Sequence, residues 1–171
     1  DSVLVENLLA SVAQHQREKN GEQTSNRMKG RMMNGYNVFS APIGYRYEKR
    51  AGHGKILVRD EPSASIIKEA LEGFAFGRFE SMAEVKRYLE SQPSIPKRSS
   101  GNSITQQFVS DVLNRVIYAG YIEHEPWGIT RRKGHHEALI SLETFERIQT
   151  RRNGTKMAPA RTDISSDFPL R

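Results

Sequence analysis

At 171 residues the chain is long enough for one domain with a real core, or for a smaller domain with appendages. Its 26 Lys and Arg against 20 Asp and Glu give a net charge of +6 and a pI near 9.7, which favours a polyanionic partner. The absence of cysteine excludes a disulfide framework and a thiolate metal site, and no run approaches the roughly 18 apolar residues of a membrane span. The start carries no basic-then-apolar leader, so a cytosolic protein is the expectation. It is Asp rather than Met, so a piece of a longer protein is expected.

In chain order, Val5, Leu8, Leu9 and Val12 fall at helical spacing, after which Ala13–Thr24 is almost wholly polar. Such a helix packs at one end and protrudes at the other, and Gly21 weakens it by roughly 1 kcal/mol relative to Ala. Helical character resumes over Ser25–Met33 and stops at Asn34-Gly35, both tolerant of a left-handed backbone. Tyr45–Tyr47 and Ile56–Val58 read as strands joined by a Gly52-His53-Gly54 turn. Asp60 is the expected N-cap of the next helix, with Pro62 in its first turn and Ile66, Ile67, Ala70, Leu71 and Phe74 on one face. Ser81 and Glu84 form a capping box opening a helix over 82–91. Lys97–Ser103 is a loop, and another helix starts near Thr105 with Phe108, Val109, Val112 and Leu113 apolar. Val116–Ile122 reads as a strand that begins in a turn, and Ile129–Ile140 holds a second strand around Lys133-Gly134. Ser141 caps a last helix with Phe145 and Ile148 facing inward, and from Asn153 the sequence loses its periodicity and reads as a linker. The expected fold class is α+β: a mostly helical domain with a small β-hairpin or sheet, preceded by a long projecting helix.

Enzyme chemistry finds little purchase. His135-His136-Glu137 lacks the helical spacing of a metalloprotease pair and reads as a solvated loop beside a strand. His53 reads as a turn residue, and there is neither a phosphate-cradling loop nor a nucleophile elbow. No catalytic residue, cofactor or metal site is expected. The basic residues are more informative. Arg27, Lys29 and Arg31 share one stretch of helix, and no acidic residue interrupts from Gln23 to Tyr47. Arg46, Lys49, Arg50, Lys55 and Arg59 extend the positive run, a pattern suited to duplex phosphates or else a solvated face. The helix near 105–114 presents Gln106, Gln107, Ser110, Asp111 and Asn114, which either read base edges or form the polar side of an ordinary amphipathic helix. Arg131, Arg132 and Lys133 make a third cluster with Arg115 nearby. Trp127 reads as a packing residue rather than a stacking platform.

Four segments carry a family resemblance. MKGRMMNGY…APIGYRY, LVRDEPSASIIKEALEGFAFGRF, VSDVLNRVIYAGYI and KGHHEALISLETFERIQTRR occur in order and cover the chain from about Glu6 to Arg152. Together they resemble the recombinase domain of the large serine recombinases: phage integrases, transposon resolvases and invertases. Pro42-Ile43-Gly44-Tyr45 is similar to the family's P-x-G-Y start, and Leu113–Gly120 to its I-L-x-N-P-x-Y-x-G signature, with Val116 where Pro is common. The resemblance implies that residues 1–36 are the end of a long helix that pairs protomers and runs onto DNA. It implies a recombinase domain over 37–152 and a linker over 153–171 toward a zinc ribbon. It also implies a bacterial or phage protein that binds double-stranded DNA at recombination sites, self-associates as part of its parent, and leaves strand cutting to a serine domain not represented here. The DNA-binding residues expected on these grounds are Arg27, Lys29, Arg31, Arg46, Arg50, Gln106, Gln107, Ser110, Asn114, Arg115, Arg131, Arg132 and Lys133. The rival readings are a helix-mediated dimerisation module and an RNA-binding domain.

Overall fold

The computed structural model describes residues 1–97, 101 and 103–154. Helix α1 (Ser2–Met33) is followed by a hairpin of β1 (Tyr45–Arg50) and β2 (Gly54–Arg59), then α2 (Ser63–Ala75), α3 (Met82–Ser91) and α4 (Gln106–Asn114). A 3-10 turn (Val116–Ala119) leads into β3 (Tyr121–His124), which pairs with β4 (Ile129–Lys133), and α5 (Leu142–Gly154) closes the described chain. Both sheets are two-stranded and antiparallel.

The core lies among the four shorter helices. Alanine, glycine and branched residues alternate on α2, so Ala64, Ile67, Ala70, Leu71 and Phe74 all become buried. Val85 and Leu89 from α3, Val109, Val112 and Leu113 from α4, and Phe145 and Ile148 from α5 complete the cluster. Caps set the helix starts. Ser81 Oγ accepts the Glu84 N–H, while the Glu84 carboxylate reaches back to the Glu80 N–H at 2.7 Å. Thr105 Oγ1 accepts from Phe108 N and Ser141 Oγ from Thr144 N. At α2 the cap departs from expectation. Asp60 contributes only its backbone carbonyl, to Ala64 N. The Glu61 carboxylate takes both the Ser65 N–H (3.2 Å) and hydroxyl (2.7 Å), because Pro62 occupies the N-cap position. Those Ser65 bonds and Arg59 hold the Glu61 carboxyl below its ordinary pKa.

Further expectations change once the chain is folded. Helix α1 runs through Gly21 without a break, because the Thr24 hydroxyl bonds back to Asn20 O and a single propensity penalty is small across 32 helical residues. Its apolar stripe lies at the exposed end: Leu4 is 73% and Leu8 65% accessible, whereas the packed end is marked by buried Met32. The stretch from Val116 is a 3-10 turn as far as Ala119. Tyr118 turns inward there, donates its hydroxyl to Ile43 O at 2.8 Å and accepts Leu139 N and Ile140 N on its carbonyl, and Gly120 (φ 84°) starts the strand. The region expected to hold a second strand pairs only over Ile129–Lys133. Asn153 and Gly154 belong to α5 rather than to a linker; residues 155–171, and Arg98–Ser100 and Asn102 of the expected loop, lie outside the described residues.

The C-terminal end of α1 is clasped between the two hairpins. Arg31 Nη2 donates to His53 O (3.1 Å) and Lys55 O (2.7 Å) on the first hairpin. On the other side Arg132 Nη1 donates to Met33 O (3.1 Å), and the His135 ring bonds Asn34 O (2.8 Å). Met32 enters a small apolar cluster with Ile122 and Ile129. Gly35 makes the exit with φ +87°, and a Cβ there would sit 2.8 Å from Lys133 O. Of the His135-His136-Glu137 segment, His135 and Glu137 are exposed, as a solvated loop beside a strand would have them. His136 is buried, its Nε2 donating to Ile117 O at 2.6 Å with Tyr45 edge-on to its ring.

Two outcomes follow from these contacts. Gly35→Ala combines an unfavourable φ with a backbone collision, so it should destabilise by more than about 1 kcal/mol, read as a lowered denaturation midpoint. A midpoint equal to that of the parent chain would contradict the clasp. Burial pushes the His136 pKa below its ordinary value, with His135 adding to the effect, so the fold holds the neutral ring. The unfolded chain takes up this proton near pH 6.5. The stabilising contribution is thus complete above that pH and is lost as the pH falls through the depressed folded value. Thermal melts from pH 7.5 to 5 should show this acid slope, and His136→Gln should flatten it.

Candidate nucleic-acid interface

Strand alternation sorts the cations of the first hairpin onto two faces. Lys49 pairs with Lys55, and Tyr47 with Leu57, so these side chains share one face. Arg46, Glu48 and Arg50 project from the other. On the first face a groove of about 350 Å³ runs between α1 and the hairpin, lined by Arg27, Met28, Arg31, Tyr47 and Lys55. Arg27 and Lys55 make no side-chain hydrogen bond or ion pair among the described residues, so both charges are available. Arg31 lies 4.5 Å over the Tyr36 ring and donates to the hairpin carbonyls, which makes it a strut as well as a charge. Lys29, one position off this line, sits 5.8 Å over Trp127.

On the second face Arg46 lies 3.8 Å from both Glu48 and Asp60, exposed pairs that add little stability and dilute the positive potential. Arg50 is exposed and shares a depression with His135 and Glu137. The fold therefore does not bring Arg46 and Arg50 together with Arg27.

Helix α4 changes most relative to its sequence reading. Ser110 and Asn114 are held by α5, which packs alongside: Arg152 donates to the half-buried Ser110 Oγ (3.1 Å) and to the exposed Asn114 Oδ1. Gln149 adds a bond to Leu113 O. Gln107 is tied to Asp111 at 2.8 Å, which leaves Gln106 exposed and without a side-chain partner among the described residues. Of the third cluster, Arg131 pairs with Glu123 at 3.0 Å and lies over Phe145. Arg132 is committed to Met33 O and Thr130. Lys133 is exposed, and Arg115 is exposed at the C-terminal end of α4.

The Recombinase family model matches residues 61–155, more than half of the chain. The chain belongs to the Recombinase family. The fold of this recombinase chain is also that of a large serine recombinase–DNA complex, with a TM-score of 0.60 at 20% identity over 84% of this chain and 43% of the other. A structure concerned with the sequence requirements of the Listeria innocua prophage attP site gives a TM-score of 0.57 at 20% identity, over 77% of this chain and 51% of its own. The chain thus spans about half or less of the length of these structures. No curated protein matches its sequence. No helix among the described residues is long and apolar enough to cross a membrane.

Two features of the recombinase surface were not nominated as site residues by sequence. Lys55 joins the α1 groove only through its cross-strand position opposite Lys49. Phe39, His124 and Trp127, far apart in sequence, meet as a three-ring cluster with centroids 4.7–5.4 Å apart. Local spacing carries no signal for the ring cluster, whereas Lys55 already stands in the positive run of the sequence.

Proposed function

We propose that this chain is the double-stranded DNA-binding part of a large serine site-specific recombinase. The observation that carries the reading is the groove between α1 and the first hairpin, where Arg27, Arg31 and Lys55 converge on a Recombinase-family fold. Helix α1, through residues 1–36, meets the phosphate backbone; residues 37–152 form the body that grips the duplex; the tail leads toward a further domain. Cutting and rejoining of strands falls to another part of the recombinase, in keeping with structural neighbours about twice as long as this chain. The same reading applies to the structural neighbours' partner: one of them is a DNA complex. On α4, Gln106 is the side chain left to read a base edge, bidentately to adenine in the major groove.

The six exposed apolar side chains Val3, Leu4, Val5, Leu8, Leu9 and Val12 favour a second role for α1, association with a further copy through its free end. Sedimentation of the chain over a concentration series should show a dimer that Leu8→Glu reduces to monomer. A parent chain that stays monomeric throughout would remove this role.

Gel-shift titrations with duplex DNA, single strands and RNA test the main reading, and the duplex should bind tightest. Arg27→Ala should weaken binding to all duplexes alike and lower the slope of log K against log salt by about 0.9, the loss of one phosphate contact. Arg31→Ala should in addition lower thermal stability, because it releases the hairpin carbonyls. Gln106→Ala should relax base preference at one position in selections from randomised duplexes, at roughly 1–3 kcal/mol of discrimination, whereas Gln107→Ala should not. An Arg27→Ala slope equal to that of the parent would mean that this face meets only solvent.

A further inference from the structure

A cavity of about 330 Å³ opens between the loop after α1 and the 3-10 turn after α4. Met32, Val116 and Ile117 supply apolar lining, while Asn37, Ser40, Asn114 and Arg115 contribute polar groups, together with Glu123, whose carboxylate is neutralised by Arg131 at 3.0 Å. Phe39 borders this cavity and is 39% exposed. Its position is fixed. Asn37 Nδ2 donates to Phe39 O at 3.2 Å and to the Tyr47 hydroxyl at 2.8 Å, and that hydroxyl donates in turn to Phe39 O. The Phe39 ring packs against His124 (4.9 Å between centroids) and Trp127 (5.4 Å). Among the described residues, Ser40 and Arg115 make no side-chain hydrogen bond or ion pair.

A braced, half-exposed aromatic ring beside a cavity with unused hydrogen-bonding groups is chemistry suited to a flat heteroaromatic ring. The cavity lies at the lower end of the size range of small-molecule sites, enough for one such ring. The unpaired guanidinium of Arg115 on its lining, and Lys29 over Trp127 on the adjoining surface, favour a ligand that carries phosphate. We propose that this cavity receives a single nucleobase unstacked from duplex DNA, with Phe39 as the ring it stacks on and Arg115 as the partner of its flanking phosphate. The proposal rests on the duplex-binding reading above. A base that is already extrahelical enters without the penalty of unpairing, so such a duplex is the preferred ligand.

The test uses the full chain and two duplexes of one sequence, one fully paired and one carrying a single bulged 2-aminopurine. The bulged duplex should bind about tenfold tighter, within the range known for stacking a base on an aromatic side chain, and its fluorescence should be quenched on binding. Phe39→Ala should bring the bulged duplex down to the affinity of the paired one and abolish the quenching. Phe39→Leu, which keeps an apolar side chain and guards against a folding defect, should do the same. Arg115→Ala should reduce the preference without abolishing the quenching. Equal affinity of the parent chain for the two duplexes, or a preference that survives Phe39→Ala, overturns the base-binding site while leaving duplex binding intact. Failure to bind either duplex overturns the duplex-binding reading itself, and this proposal with it.

Discussion

The last turn of α1 decides the geometry of the molecule. A helix end leaves four carbonyls without intrahelical partners, and in most exposed helices water or a local glycine turn satisfies them. Here Met33 O is taken by Arg132 and Asn34 O by the His135 ring, side chains 99 and 101 residues away. Arg31 reaches the other way, to His53 O and Lys55 O. A 32-residue helix with almost no buried surface of its own is thereby locked to the body at a set angle. Positive charge at a helix C-terminus also opposes the negative end of the macrodipole, so Arg31 and Arg132 are favoured there electrostatically as well as by their hydrogen bonds.

That clasp links fold to function. The groove rimmed by Arg27 and Lys55 exists because Arg31 holds the hairpin against α1. The cavity beside Phe39 exists because the chain leaving Gly35 is pressed against β4 and then tied down by Tyr47. A second staple works at the opposite side of the body. Arg151 donates to Phe74 O, and Arg152 binds Ser110 and Asn114, so α5 bridges α2 and α4 through polar groups that an isolated α4 would present to solvent. Packing density sets the limits of adjustment here: Ala64, Ala70 and Gly73 let neighbouring elements approach closely, and the Gly73 position is already filled by the Phe79 ring.

The elements were legible in the sequence because local rules govern them. The capping serines at 81 and 141, the glycine-flanked turn around His53 and the apolar spacing on α2 act over a few residues, and the fold obeys each of them. The overall α+β class and the Recombinase membership were readable for the same reason: four ordered segments carry them. Some departures are local, such as the α2 cap, where Pro62 shifts the role from Asp60 to Glu61; others occur where a distant group intervened. Val116–Ala119 has strand-forming residues but becomes a 3-10 turn, since burying Tyr118 and bonding Ile43 outweighs local β preference.

The partition for the interface is sharper. Sequence by itself determined that the chain is basic, that its positive charge is concentrated around the end of α1 and the first hairpin, and that α4 has one apolar face, since charge and periodicity are properties of composition and spacing. Only tertiary structure decided which of those groups are free. Arg132 is consumed by Met33 O, Ser110 and Asn114 by Arg152, and Arg46 is shared between Glu48 and Asp60, whereas Arg27, Lys55 and Gln106 remain open to a partner. A hydrogen bond or ion pair between residues far apart in sequence leaves no periodic trace in the chain, so the availability of a side chain emerges only once the elements are packed.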